Sequence, residues 1–523
     1  MILRRLYVYV VSLVSLVVAA AGLSFLGTAI LLFLFHDASA NDNRAALAGY
    51  TAMVVVALPV WLLHQWLANR RPSAETRASA LRRLYLYLSS LGLAIGSASA
   101  LAIAAGKLLT SVLEGARFDF LHASQALLVG LVLGVLSAYH HLLADRDRAA
   151  YGEDDFSATL RRWYWYVLLG VSLLMWLAAA HDFCHALWLR GLGSSPAAGE
   201  PAGTALVWLA IWGYHAWRLS CPPLSADDRR SVLRAVHGFL ILTVCVVTAV
   251  VAANLILYYG VARAIGVTSP GGVSNPLVGL SDYLPMLLIY GGAWLLMRRR
   301  LAADAGAEEA SHQAGVRRLY TNLAALVALG ATAVGAGGLL ATLSEQVLAP
   351  LLSVKAPDWK DPVSLTATLL AVGVSVWLFH WRPTPPQADR ASLSRRLYLY
   401  LTLLASVLAL LGSGIALIYT VFRIAFSQNP TLHDSQNLDF GRYTAVVLVA
   451  AAVGYYHFTV LRRDNAARPQ ALPEETHPPA PAAPPRLRVE VSGASDAELR
   501  RALAQLPPGA TFSISKTEPG AVD

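Results

Sequence analysis

Along residues 1 to 465, apolar and polar segments alternate in a fixed order. A long apolar run of roughly 25 to 30 residues is followed by a polar loop and a second run of about 20, lengths at which a helix crosses a bilayer. Six such pairs predict an all-α membrane protein of about twelve transmembrane helices. The first runs begin near Leu6, Leu84, Trp163, Val236, Leu319 and Leu397, and the second finish near Leu67, Leu143, Leu219, Met297, Trp381 and Leu461.

Each first run opens on the same phrase. Arg4-Arg5-Leu6-Tyr7-Val8-Tyr9 returns as Arg82-Arg83-Leu84-Tyr85-Leu86-Tyr87, Arg161-Arg162-Trp163-Tyr164-Trp165-Tyr166 and Arg395-Arg396-Leu397-Tyr398-Leu399-Tyr400. Arg317-Arg318-Leu319-Tyr320 is a fifth copy, and Leu233-Arg234-Ala235-Val236-His237-Gly238 a degenerate sixth. The second runs end in two alternating ways. Trp61-Leu62-Leu63-His64, Trp212-Gly213-Tyr214-His215 and Trp377-Leu378-Phe379-His380 stand against Ser137-Ala138-Tyr139-His140 and Gly454-Tyr455-Tyr456-His457, which carry a small residue in place of Trp. Gly291-Gly292-Ala293-Trp294 keeps the small residue and loses the His. The alternation makes the repeat four helices and predicts three tandem modules, 1–152, 153–311 and 312–466, the middle one diverging most in its second half.

After Arg463 the pattern stops. Prolines from Pro469 to Pro485 mark 467–485 as an extended linker. In 486–523, Leu487, Val489 and Val491 alternate with charged residues as in a strand, and Phe512 and Ile514 alternate again. Between them Ser495 and Glu498 form a capping-box pattern ahead of Leu499, Leu503 and Leu506. A cytoplasmic strand-helix-strand unit this small buries little core alone, so it is expected to self-associate, dock or bind a partner.

Of 523 residues, 56% are hydrophobic and 14% charged, a balance that places the chain among multi-pass membrane proteins. The net charge of +9 matters through its placement: Lys and Arg sit in short clusters between apolar runs, which argues for topology and against nucleic acid. Loops rich in arginine (Arg70, Arg71 and Arg77; Arg298, Arg299 and Arg300) alternate with poor ones (Arg44; Arg117; Lys355 and Lys360), so both termini and every opening are expected on the cytoplasmic side. Arg4-Arg5 ahead of an apolar run and Ala19-Ala20-Ala21-Gly22 imitates a cleaved signal, but the same opening recurs inside the chain, so residues 1 to about 35 are read as the first helix. Cys184, Cys221 and Cys245 have neither disulfide-framework nor zinc spacing.

The repeated Arg-Arg-Leu-Tyr-x-Tyr opening, followed by long Leu/Ala/Gly/Ser-rich spans in four-helix blocks, resembles the uncharacterised bacterial membrane domain known as domain of unknown function 5671. The resemblance covers residues 1 to about 465 as three copies and departs at Arg234-Ala235-Val236-His237. It implies residence in a bacterial cytoplasmic membrane and no transferable activity.

The openings are the first candidate for chemistry. On a helix Arg4 neighbours Tyr7 and Arg5 neighbours Tyr9, while the two tyrosines point about 200° apart, as an interfacial belt requires. Arg4, Arg5, Tyr7, Arg82, Arg83, Tyr85, Arg161, Arg162, Tyr164, Arg317, Arg318, Tyr320, Arg395, Arg396 and Tyr398 are therefore expected to face anionic headgroups. The histidines His64, His140, His215, His380 and His457 are candidates for haem or metal, but lie at cytoplasmic helix ends, where capping and ring contacts satisfy them equally well. His181 and His185 share one helix face at metal-ligand spacing, with His36, His122 or His433 as possible third ligands. No metal or cofactor is assigned to either set.

Span centres are almost free of ionisable groups, Asn254 and Lys107 being the main polar residues, which disfavours a proton-coupled carrier. Small residues recur at mid-span instead (Ala19–Gly22, Gly92–Ser99, Gly330–Gly338, Gly412–Gly414), as close helix packing requires. Asp and Glu are read as confined to loops, with Asp145-Arg146-Asp147-Arg148 a solvated connector. No P-loop, nucleophile elbow, HExxH or dinucleotide fingerprint occurs, so no enzyme is expected. The expectation is a non-enzymatic scaffold or interaction protein, with a basic-aromatic cytoplasmic face for lipid headgroups and a tail, 486–523, for a protein partner or self-association. The alternatives are a permease for an apolar or lipid-like solute and a haem or metal protein.

Overall fold

In lipid every backbone N–H and C=O must be satisfied within its own segment, so an apolar run of bilayer length becomes a helix. The computed structural model bears this out. It describes residues 2–35, 40–70, 79–152, 155–221, 228, 231–305, 311–426, 438–467 and 495–503. Among these, twelve long helices follow one another: α1 Ile2–Leu34, α2 Ala40–Asn69, α3 Ala80–Glu114, α4 Phe120–Tyr151, α5 Asp155–Gly191, α6 Gly199–Ser220, α7 Val232–Ala264, α8 Pro276–Ala305, α9 Ser311–Leu351, α10 Lys360–His380, α11 Leu393–Phe426 and α12 Asp439–Ala466. Eleven are long and apolar enough to cross a membrane. The exception, α6, carries Trp208, Trp212, Trp217, Tyr214 and His215, and it buries Trp208 against the small residues Ala98 and Ala102 of α3. The chain is therefore a multi-pass membrane protein.

Consecutive helices pair as six hairpins, and one packing rule joins them. The second helix of each hairpin also packs on the first helix of the preceding one: α4 on α1, α6 on α3, α8 on α5, α10 on α7 and α12 on α9. The first helices touch in series from α1 to α11. Packing does not set the three predicted four-helix modules apart: α3 and α6 pack across residue 152 as intimately as helices within either block, and residues 1–467 form one unit. The physical reason is small residues at the crossing. A Cβ at Gly203 would overlap the backbone of Gly106, and one at Gly199 the backbone of Thr110. From α3, Glu114 accepts the backbone N–H groups of Ala198 and Gly199 at 2.7 and 2.8 Å, capping α6 across the same junction.

Between spans, Asp119 caps α4 by accepting from the backbone N–H of His122, and the His122 ring beside it holds that carboxyl below the usual carboxylate range. Acidic groups are not confined to loops: Glu345 is buried in α9 beside Arg442 of α12, and Asp361 of α10 accepts from the Tyr258 hydroxyl of α7 at 2.6 Å. Lys107 donates to Glu200 at 3.0 Å. On the outer surface, α11 alone exposes Leu404, Leu408, Leu411, Ile415, Ile418 and Phe422, a surface suited to hydrocarbon.

In the second unit, residues 468–523, the helix Asp496–Leu503 (α13) has the capping box the sequence predicts. The Ser495 N–H donates to Glu498 at 2.9 Å, and the Glu498 N–H donates to the Ser495 hydroxyl at 3.4 Å. The linker prolines, Leu487–Val491, Leu506 and the 512–514 alternation lie outside the described residues, as do His36 and His433.

Candidate functional site

The openings and the second-run histidines meet at one end of the row. In α4 the His140 Nδ1 lies 2.7 Å from the carbonyl of Leu136, four residues back, and can only donate to it. His64, His215, His380 and His457 repeat this bond at 2.7 to 2.9 Å. The other ring nitrogen is then an acceptor. Tyr85 of the opening places its hydroxyl 3.0 Å from His140 Nε2 and receives the Trp61 indole N–H of α2 at 3.4 Å and the Gln65 amide. A hydroxyl that accepts twice must donate its proton to the imidazole. The same Trp-Tyr-His relay recurs as Trp377, Tyr398 and His457 at 3.1 and 2.9 Å, and as Trp294, Tyr320 and His380 at 3.4 and 3.3 Å.

Most of the opening residues lie in the interior. Tyr85, Tyr164, Tyr398, Arg82, Arg83, Arg161 and Arg395 are buried inside the protein. Arg82 pairs with Asp147 at 2.6 Å and Arg395 with Asp464 at 2.6 Å, while Arg83 donates to the Ala144 carbonyl at 2.7 Å. Asp147 is thus no solvated connector, because α4 runs on to Tyr151 and turns it inward. Arg162 lies 3.2 Å from Asp228, Arg318 pairs with Asp389, and Arg396 donates to the Ala391 carbonyl. The Tyr164 ring packs on Tyr87 and His141, leaving His215 to the Trp165 ring. Arg4 and Tyr7 of α1 and Arg317 of α9 are exposed, and Tyr7 lies 5.8 Å from the His64 ring.

Removing the relay hydroxyl leaves buried donors and an acceptor unpaired. Tyr85→Phe is expected to lower stability by about 1 to 3 kcal/mol, and Tyr7→Phe by about zero, read from thermal unfolding in detergent.

His181 is also engaged. His181 Nδ1 lies 2.9 Å from Asp182 and its Nε2 2.9 Å from the Asp282 carbonyl, tying α5 to α8, with the His185 ring stacked 6.2 Å away. No cluster of three or more metal-ligating side chains exists among the described residues.

One junction is open. Where α7, α8, α9 and α10 end together, a cavity of about 710 Å³ is lined, among the described residues, by six arginines (Arg234, Arg298, Arg317, Arg318, Arg382 and Arg395) and one carboxylate, Asp389. It lies where the repeat departs from its own pattern. Asn322 takes the place of the second opening tyrosine, and Trp294 stands where α4 and α12 have their histidine. The Arg298 guanidinium lies over the Trp294 and Phe379 rings, 5.4 and 5.5 Å from their centroids. With Trp294 displaced by one turn, the local relay is the loosest of the three.

A family model for a domain of unknown function, DUF5671, matches residues 5–136 and 318–456, together more than half of the chain. The chain belongs to the DUF5671 family. Each matched stretch runs through four helices, α1–α4 and α9–α12, and each contains the Trp and Tyr of one tight relay, Trp61 and Tyr85 or Trp377 and Tyr398, and ends just short of its histidine, His140 or His457. Within this DUF5671 protein the arginine cavity lies at the edge of the second match, with α7 and α8 supplied by the unmatched middle. No curated protein and no solved structure matches the chain. Sequence reasoning missed the acidic partners of Arg82 and Arg395, although both lie seven residues after a relay histidine, and it missed Arg298 and Arg382 as cavity residues.

Proposed function

We propose that this protein is a non-enzymatic scaffold of a bacterial cytoplasmic membrane, with its arginine end on the cytoplasmic side, where it binds anionic lipid headgroups. The observation that carries this reading is the cavity whose described lining holds six arginines, of which Arg318 is paired with Asp389 and Arg395 with Asp464, so that Arg298 and Arg382 offer a site for phosphate-type groups that accept bidentate hydrogen bonds. The Arg/Lys asymmetry of the loops supports the orientation. In this reading α5–α8 are a third, divergent copy of the four-helix unit, and residues 486–523 are a strand-helix-strand module that recruits a protein or a second copy.

Lipid extracted with the purified protein is expected to be enriched in anionic species relative to the bulk membrane, and Arg298→Gln with Arg382→Gln to remove the enrichment. A lipid profile matching the bulk contradicts the headgroup reading. Deletion of residues 469–523 is expected to change the set of co-purifying proteins, and an unchanged set contradicts recruitment.

A second reading, a permease for a lipid-like solute, draws on an apolar groove that opens beside the cavity. It requires net movement of lipid between leaflets of reconstituted vesicles.

A further inference from the structure

Six arginines alone would accept any small anion. A groove running away from them narrows the choice. Between α7, α8 and α10 lies an almost wholly apolar groove of about 740 Å³, lined by residues such as Val250, Ala253, Leu288 and Val376. It shares Trp294, Phe379 and His380 with the arginine cavity, so the two adjoin. Its emptiness has a cause in the sequence. Gly291 stands where α2, α6 and α10 carry their Trp, and a Cβ at Gly292 would meet nothing within 4 Å. α8 and α10 both pack on α7 and hardly touch each other, while Leu288 and Phe379 turn outward at the groove's rim. The groove therefore opens sideways to the hydrocarbon, and its upper end meets concentrated positive charge.

Resting on the headgroup reading above, we infer that cavity and groove are one site for a single phosphate-headed membrane lipid. The phosphate lies among the arginines around Arg298 and Arg382, and one acyl chain lies along Gly291 and Gly292, having entered between α8 and α10. Charge complementarity selects the head, and the missing side chains of α8 admit the tail. A soluble phosphate ester would use only the first half of the site.

The test is native mass spectrometry of the full chain in mild detergent, titrated with dioleoyl phosphatidate, dioleoyl phosphatidylcholine and glycerol 3-phosphate. Phosphatidate is expected to bind about tenfold or more tightly than either of the others. Gly292→Leu, which adds a side chain to open space and is expected to leave the unfolding midpoint unchanged, lowers phosphatidate affinity about tenfold and leaves glycerol 3-phosphate binding as it was. Gly291→Leu, a second groove-filling change, has the same effect. Arg298→Gln with Arg382→Gln weakens both phosphate ligands. Unchanged phosphatidate binding in both groove variants, or glycerol 3-phosphate binding as tightly as phosphatidate, overturns the groove while leaving the headgroup reading standing. No preference for phosphatidate over phosphatidylcholine, or no effect of the arginine changes, overturns both.

Discussion

Replacing Asp147 with Ala is expected to destabilise the protein by about 3 to 5 kcal/mol, because it strands the Arg82 guanidinium as a buried charge. Both side chains are only 2% exposed, and Nε meets Oδ2 at 2.6 Å. The other Arg82 bonds, to the Asn69 amide oxygen at 2.9 Å and the Ala68 carbonyl at 3.4 Å, are to neutral acceptors and do not replace the lost charge. Asp145→Ala, two residues away and half-exposed beside Arg148 and His141, is expected to cost about 0 to 1 kcal/mol. Arg82→Met combined with Asp147→Leu removes both charges together and is expected to recover most of the loss, since apolar replacement of a buried pair is often near neutral. Chemical or thermal unfolding of the four variants in detergent measures the coupling. Equal, small effects of Asp147→Ala and Asp145→Ala would show that Asp147 reaches water.

The second large effect is expected at the α3–α6 crossing. Gly203→Leu puts a side chain where the backbone of Gly106 already stands, so the helices must separate along the whole contact. The expected loss is about 3 kcal/mol or more, or failure to accumulate in the membrane. Gly213→Leu on the same helix, where a Cβ would meet nothing within 4 Å, is expected to be nearly neutral. A tolerated Gly203→Leu would mean that the first two hairpins are not held to the third by this contact. Because α6 is the least apolar of the long helices and buries Trp208 against α3, losing this crossing also exposes the helix least suited to lipid.

Much of the fold is legible in the sequence because bilayer thickness fixes span length: the six openings and the six helix-end motifs mark the hairpins, although helices such as α4 and α5 run on past the predicted bounds near Leu143 and Trp163 to Tyr151 and Asp155. The arrangement of hairpins is less legible. Alternation of Trp and small residues ahead of the relay histidines marks a four-helix period in sequence, but glycine pairs such as Gly106 and Gly203 decide which helices touch, and these extend the row across that period. Burial of the openings is hidden for a different reason. An Arg-Arg-Leu-Tyr phrase at a span end looks interfacial unless its acceptor is known, and the acceptor of Arg82 lies 65 residues away in what reads as a charged connector. Tyr7 is exposed where its counterparts Tyr85, Tyr164 and Tyr398 are buried. The arginine cavity is visible in the sequence as loss: Trp294 in place of a histidine and Asn322 in place of a tyrosine register as divergence, and only the packing of α7 to α10 gathers these departures around one space.

The most direct test of the central claim is a cryo-electron-microscopy map of the full chain in nanodiscs containing phosphatidate. The account predicts a lipid whose phosphate lies within hydrogen-bonding distance of Arg298 or Arg382 and whose chain follows Gly291 and Gly292. A cavity closed by its own side chains, or left without lipid while annular lipids are resolved along α11, would contradict it.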